Sequence, residues 1–472
     1  MKPFAYCLAA LAISAPALVY AQSVTDADAK AIERKLAYFV PDGMAKAGIF
    51  RVRPSGDHYD LTIDPAAFFT GMDSRIRATE VQPLVLKLSQ GTDGLWTVSG
   101  AGRPKMIADY TTPAGEKGHL AIESAVTANI VFDPSLGFPR SVSLILDKPS
   151  WKTNLDNATF SVGADQLALK SDLANLRSGV ADLAVGFSSK GLKAETGPRP
   201  VSLSAANFDA KWRIGSANIT GALKLADFLF QKQKQGFYTL TASEKADFRK
   251  IVRAETPLLQ TLSQDYSVGD LHVTRSGESS LAAMKLSIEV ANDSDVTKLR
   301  LSAEKPVMPV QSLPYGADLL LPQQLSTDLK IQGIRWDDGL SYSFENADDR
   351  TPEGAAKLRK TLIPDDRVTF TFDNGIARSP QYDVTFKGSL AGSGTPHNVR
   401  PSADLALTMR DIDKTANVLQ SNANVVPIFR QLSVWLLAAK GFGAQEADGI
   451  TRWDIKITEG GKLTVNGQEI RR

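Results

Sequence analysis

The segments RVTFTF (residues 367–372) and YDVTF (residues 382–386) decide the fold class. Apolar and polar residues alternate in both, and the apolar positions are Val368, Phe370 and Phe372, then Tyr382, Val384 and Phe386. This alternation places one face of an antiparallel strand pair against an apolar interior and the other face in water. The two segments therefore predict an antiparallel pair of β-strands.

The same period of two recurs along most of the chain. Further alternating sets are Phe50/Val52, Leu84/Leu86/Leu88, Val142/Leu144/Leu146, Phe208/Ala210/Trp212/Ile214, Leu299/Leu301 and Leu340/Tyr342/Phe344. Turn-forming pairs such as Asp93-Gly94 and Asn466-Gly467 separate the runs. The continuous Val/Ile runs of buried parallel strands are missing. The pattern predicts a mainly β, α+β protein with antiparallel, meander-like sheets.

Two helical regions are expected to interrupt the strands, one near 225–266 and one near 412–440. Pro427 and Arg430 interrupt the most apolar stretch, so we expect no transmembrane segment in the mature chain.

The two helical regions also suggest an internal repeat. A shift of 184 residues (406 minus 222) places residues 222–277 on 406–461, with Leu223 on Leu407 and Asp270 on Asp454. We therefore predict an internally duplicated β-rich unit, with the first copy over residues 22–290 and the second over 291–472.

The N-terminus has the features of a secretory signal peptide over residues 1–21. Lys2 precedes an uncharged, mostly apolar run, and Val19 and Ala21 fit a signal-peptidase site. We expect cleavage after Ala21 and a periplasmic location. The sole cysteine, Cys7, lies in this segment, so the mature chain has no thiol.

Composition and motifs give little sign of catalysis. A formal net charge of +2 provides no reason to expect nucleic acid as a partner. The histidines His58, His119, His272 and His397 fit no metal-binding pattern, and no nucleophile or phosphate-loop motif occurs. We therefore expect no metal, no cofactor and no enzymatic activity. A hydrolase using scattered carboxylates remains an alternative, with three acidic pairs to consider: Asp337-Asp338, Asp348-Asp349 and Asp365-Asp366.

The ending of the chain carries a resemblance. Residues 448–455, DGITRWDI, followed by residues 461–467, GKLTVNG, resemble the closing hairpin of uncharacterised secreted proteobacterial families, classified as domains of unknown function. The resemblance is confined mainly to residues 448–467. It implies a periplasmic, β-rich, non-catalytic protein, and it transfers no functional residues.

The alternating strands provide more one-sided apolar surface than two helical regions can cover. We expect most of this surface to close sheet on sheet, leaving an apolar cleft beside the second helical region. Phe429, Leu432, Trp435 and Leu436 are the candidate ligand-binding residues, for a lipid or another hydrophobic small molecule. Core packing is the alternative explanation for Phe429 and Trp435. A module that binds another envelope protein is the alternative function.

Overall fold

The chain forms two compact units, Met1–Gln260 and Thr261–Arg472. The computed structural model describes residues 24–470 except 39, 73–74, 113, 156–157, 198–200, 235–240, 276–277, 294–295, 306–319, 347–350, 396–397 and 425. The predicted signal peptide and its cleavage site lie outside the described residues. Both units are mainly β with antiparallel pairing, which confirms the predicted fold class.

The first unit contains five helices and twelve strands among its described residues. The helices are α1 (Asp26–Tyr38), α2 (Asp42–Lys46), α3 (Pro65–Met72), α4 (Ile219–Lys234) and α5 (Ala242–Glu255). The strands are β1 (Phe50–Ser55), β2 (His58–Ile63), β3 (Ile76–Gln82), β4 (Leu84–Gln90), β5 (Trp96–Gly102), β6 (Lys105–Thr111), β7 (Lys117–Asp133), β8 (Phe138–Leu155), β9 (Ala158–Gly163), β10 (Gln166–Arg177), β11 (Val180–Thr196) and β12 (Val201–Asn218).

In this unit the strands pair in the order β1, β2, β4, β5, β7, β8, β10, β11 and β12. The long strands β7, β8 and β11 have further partners at their other ends. There β6 pairs with β7 and β3 pairs with β6, while β9 lies between β8 and β11. Helices α1–α3 cover the first part of this sheet and bury its apolar face, including Leu61, Leu86 and Phe132. The main core of the unit is therefore at its N-terminal end.

The β7–β8 hairpin is held at its turn by a buried carboxylate. Asp133 ends β7, and its side chain accepts hydrogen bonds from the Ser135 hydroxyl, the backbone N–H groups of Ser135 and Leu136, and the Arg140 guanidinium. Gly137 has φ +71°, a left-handed conformation that glycine adopts without steric cost, and its N–H donates to the carbonyl of Asp133. These contacts fix the register between the two long strands.

The second unit contains four α-helices and eleven strands among its described residues. The helices are α6 (Trp336–Glu345), α7 (Pro352–Leu362), α8 (Ile412–Ser421) and α9 (Ile428–Phe442). The strands are β13 (Thr261–Arg275), β14 (Glu278–Asp293), β15 (Val296–Glu304), β16 (Gln324–Gln332), β17 (Arg367–Arg378), β18 (Asp383–Thr395), β19 (Asn398–Arg410), β20 (Ala444–Gln445), β21 (Ile450–Ile457), β22 (Leu463–Val465) and β23 (Gln468–Glu469).

These strands form an antiparallel meander. Each strand from β13 to β18 pairs with the next along the chain. Strand β19 then pairs with β21, and the short strands β20, β22 and β23 complete this end. The hairpin that the first two sequence segments predict is present, with Phe370 opposite Leu390 in β17 and β18.

The predicted helical regions need correction. The first was placed near 225–266, but α4 begins at Ile219 and residues from Thr261 onward belong to β13. The second, near 412–440, agrees with α8 and α9. Leu340, Tyr342 and Phe344 were expected in a strand and lie in α6. The sequence fits a helix as well as a strand here. Trp336, Leu340 and Phe344 are spaced by four residues, which is the spacing of one face of a helix.

The predicted offset of the repeat is wrong at its first position, because Leu223 lies in helix α4 and Leu407 lies in strand β19. Asp270 and Asp454 are both in strands, β13 and β21. Along the chain, the order of strand, two helices and strand occurs around α4–α5, α6–α7 and α8–α9. The compact units divide at residue 260, whereas the repeat boundary was predicted at 290/291. Duplication stays a prediction.

Candidate functional site

The main feature of the second unit is an apolar sheet face that is only partly covered. We define the open face as the apolar side chains at one set of alternating positions in β15–β19: Leu299, Leu301, Leu325, Leu329, Ile331, Val368, Phe370, Phe372, Leu390 and Leu405. Each is partly or substantially exposed; Phe370 and Leu390, which are cross-strand neighbours, are 37% and 36% exposed. Sheet-on-sheet closure would bury these side chains, so that expectation is wrong for this face.

Strand register makes the open face continuous. One row of directly opposed residues runs Leu299, Leu329, Phe372, Gly388, Leu405, Ile455 and Val465. A second row runs Thr297, Ile331, Phe370, Leu390, Ala403, Ile457 and Leu463. Both rows cross seven strands, and six intervals of about 4.8 Å give a length of roughly 29 Å. Neither row contains a charged residue.

Gly388 leaves a gap in the first row, between Phe372 and Leu405. Its φ is +131°, and a Cβ atom there would overlap the backbone carbonyl of Asp404. A larger residue would therefore be strained, and the row has backbone rather than side chain at its midpoint.

The opposite face of the same strands is polar and forms ion pairs across strands. Arg300 donates to Asp328 at 2.6 Å from the directly opposed position, and Lys456 lies 3.4 Å from Asp404. The hydrogen bond from Arg300 is the main reason that the pKa of Asp328 lies below its ordinary value, with Asn374 adding a smaller contribution. The sheet thus separates charge on one side from hydrocarbon on the other.

Helices α8 and α9 cover one end of the apolar face. Leu436 and Ala439 of α9 pack against Met409 and Trp453. The indole N–H of Trp453 donates to the carbonyl of Ala439 at 2.7 Å, which attaches the helix to β21. Ile455 and Val465 belong to the same cluster, so the helix lies over the β21–β22 end of the apolar face.

The four candidate residues predicted from the sequence lie on two sides of α9. Phe429 is buried beside Leu419, with Leu432 and Leu436 packed against the same cluster. Trp435 is instead strongly exposed on the outer side of the helix. The structure therefore brings Phe429, Leu432 and Leu436 together and separates Trp435 from them. Their role in ligand binding stays a prediction.

Polar clusters elsewhere are small and exposed. His58 contacts Asp57 and Asp60 in the β1–β2 turn region, and His119 contacts Asp109. Among the described residues, no group of three or more His, Cys, Asp or Glu side chains is arranged to hold a metal ion.

Members of two of the acidic pairs of the sequence lie next to basic side chains. Asp366 pairs with Arg359 and Lys360, and Asp338 lies 3.7 Å from Arg335. Residues 348–349 lie outside the described residues. Within residues 24–470, apart from the gaps given above, no helix is both long enough and apolar enough to cross a bilayer.

The open face is not among the candidate sites predicted from the sequence, which all lie on α9. The alternation of Val368, Phe370 and Phe372 identified the strand face, but alternation does not show whether another layer covers that face. The excess of such runs over helices was the one indication in the sequence that part of this face stays exposed.

Comparison of the chain with protein-family models, curated proteins and solved structures finds no match.

Proposed function

We propose that the protein is a non-catalytic periplasmic protein of envelope maintenance that binds the acyl chains of a lipid on the open face. The observation that carries this proposal is the uncharged, partly exposed apolar surface that crosses seven consecutive strands of the second unit. Large apolar patches of this kind mark binding sites, because soluble proteins otherwise keep them small.

A lipid fits this surface better than a protein partner does. Protein interfaces combine an apolar centre with polar groups that form about one hydrogen bond per 100–200 Å². The two rows carry Leu, Ile, Val and Phe with Gly388 and Ala403, and Thr297 is their one hydroxyl residue. An acyl chain needs no hydrogen-bond partner. Its length is about 15 Å, which is half the thickness of a bilayer hydrocarbon core of about 30 Å. The rows, at roughly 29 Å, are long enough for such a chain.

Paired substitutions on the two faces of one hairpin test the proposal. Phe370→Glu with Leu390→Lys places an ion pair on the open face, because these positions are opposed. Thr371→Glu with Ser389→Lys places the same pair one residue further along, on the polar face, beside Lys330 and Asp404. Loss of two apolar contacts should weaken binding at least about tenfold in the first variant, and the second should bind normally.

Binding is measured by titrating the full mature chain into a phospholipid with a fluorescent acyl chain, with circular dichroism as the check on folding. Mass spectrometry of a solvent extract of the purified protein provides a second readout. Absence of both bound lipid and fluorescent-lipid binding would reject the proposal and favour a protein-interaction module. Equal binding by a folded open-face variant would place the ligand elsewhere.

The periplasmic location gives a separate prediction. Cleavage after Ala21 produces a chain that begins at Gln22, because Val19 and Ala21 occupy the −3 and −1 positions. Intact-mass analysis of protein from the periplasmic fraction should therefore match residues 22–472. Full-length protein recovered with the membranes would contradict the periplasmic location. It would not bear on the proposal that the open face binds lipid.

A further inference from the structure

Helix α9 presents a second apolar surface, on the side that faces away from the protein. Phe429 and Ser433 lie on the buried side. The outer side carries five exposed large apolar residues: Ile428, Val434, Trp435, Leu437 and Phe442. We define these five residues as the outer stripe. Val434 and Trp435 are 59% and 65% exposed, which are the highest values among the exposed large apolar residues of the described chain.

Three members of the stripe form a continuous surface, whereas Val434 and Leu437 lie further around the exposed half of the helix. Ile428, Trp435 and Phe442 are seven residues apart, so they follow one another along the same side of the helix. The fifteen residues of α9 extend about 22 Å at 1.5 Å per residue. A flat apolar strip of this length can lie in the plane of a lipid–water interface.

Charge indicates the chemistry of the surface that the helix meets. Arg430 and Lys440 are the charged residues of α9, and the helix has no Asp or Glu. Lys440 pairs with Asp413 of α8, whereas the Arg430 guanidinium has no ion-pair partner among the residues that the structure describes. Tryptophan together with basic residues on an amphipathic helix is typical of helices that bind anionic lipid surfaces.

A second copy of the chain is a poorer occupant of the stripe. Fully covered aromatic side chains bury about 150–250 Å², so five partly exposed apolar residues offer on the order of 500 Å². Two copies that meet through this stripe would bury about 1,000 Å² in total. Stable protein interfaces bury more, about 1,200–2,000 Å². A bilayer has no such minimum, because it accepts each apolar side chain independently.

We propose that the outer stripe of α9 docks the protein peripherally on an anionic lipid bilayer, with Trp435 and its neighbours inserted at the interface and Arg430 at the headgroups. This inference goes beyond the proposed function, because it concerns a different surface and an assembled bilayer instead of a single bound lipid. A peripheral position would also bring the protein to the membrane without a spanning segment.

Vesicle flotation of the full mature chain tests the inference. The vesicles contain phosphatidylcholine alone or phosphatidylcholine with one quarter phosphatidylglycerol. The test variant is Trp435→Gln with Phe442→Gln, because these two exposed residues lie one above the other on the same side of α9. The matched control is Phe160→Gln with Leu229→Gln, since these residues are 40% and 44% exposed and lie on other elements, β9 and α4.

The wild type and the control should float with the anionic vesicles, and the α9 variant should partition at least tenfold less. Arg430→Gln should reduce the preference for anionic over neutral vesicles about fivefold. The inference is overturned if the wild type does not float, if the folded α9 variant floats normally, or if sedimentation velocity shows a dimer that this variant dissociates. The Phe370→Glu/Leu390→Lys variant should float normally, so failure of the proposed function would not imitate failure here.

Discussion

Replacing Phe132 with Ala should lower the free energy of unfolding of the first unit by about 4 kcal/mol, whereas the same change at Phe160 should lower it by about 1 kcal/mol or less. Both residues lie in strands of that unit, Phe132 in β7 and Phe160 in β9. Phe132 is 1% exposed within the N-terminal core, and Phe160 is 40% exposed. Truncation at Phe132 leaves a cavity, while truncation at Phe160 removes a ring that water already contacts.

Urea denaturation followed by circular dichroism measures both changes, with the transition of the first unit fitted separately because the chain has two compact units. Phe132→Leu, which keeps most of the volume, should cost less than Phe132→Ala. Similar costs for the two alanine variants would mean that a further layer covers the apolar face around β9. The comparison thus measures directly where apolar strand faces are covered.

Replacing Asp133 with Asn should destabilise the first unit by about 3 kcal/mol, because a buried carboxylate that pairs with Arg140 is lost. Asp133 is 3% exposed, and Ser135 and Arg140 donate to it at 2.6 Å. Because the Arg140 side chain is partly exposed, we expect a loss at the lower end of the range observed when one partner of a buried ion pair is removed. The exposed Asp109, paired with His119, provides the control, and Asp109→Asn should cost less than about 1 kcal/mol.

The effect at Asp133 should depend on pH in a defined direction. Burial by itself raises the pKa of Asp133, but the hydrogen bonds from Ser135, Arg140 and the backbone outweigh it and hold the pKa below its ordinary value. The carboxylate therefore makes its full contribution to stability above the pKa of the unfolded state, about 3.9. This contribution decreases as the pH falls below that value. Denaturation of wild type and Asp133→Asn across this range should show the difference shrinking toward acid pH. A constant difference would contradict the ionic origin of the stabilisation.

Alternation predicted the strands well where cross-strand partners share the pattern. Phe370 and Leu390 alternate in β17 and β18 and are opposed in the structure. The same rule failed for α6, because Leu340 and Phe344 fit both a strand period and a spacing of four. Helix α7 was missed although Thr351 caps it and Pro352 begins it, which is a local signal that a search for apolar periodicity does not detect.

The candidate site could be predicted only in part, because periodicity does not reveal which face another element covers. Phe429 and Trp435 are both large aromatic residues of α9, yet one is in the core and the other in solvent. The side of the helix that packs is chosen by Met409 and Trp453 on distant strands. The exposure of the open face likewise depends on which elements lie above β15–β19, and only the three-dimensional arrangement determines that.

The meander of the second unit has a consequence for how the chain acquires its structure. From β13 to β19 each strand pairs with the one synthesised just before it. Contacts between residues close in sequence have a low entropic cost of loop closure, and they favour rapid folding. The sheet can therefore grow one strand at a time on the edge left by its predecessor, and each added strand satisfies that edge before it can pair with another chain.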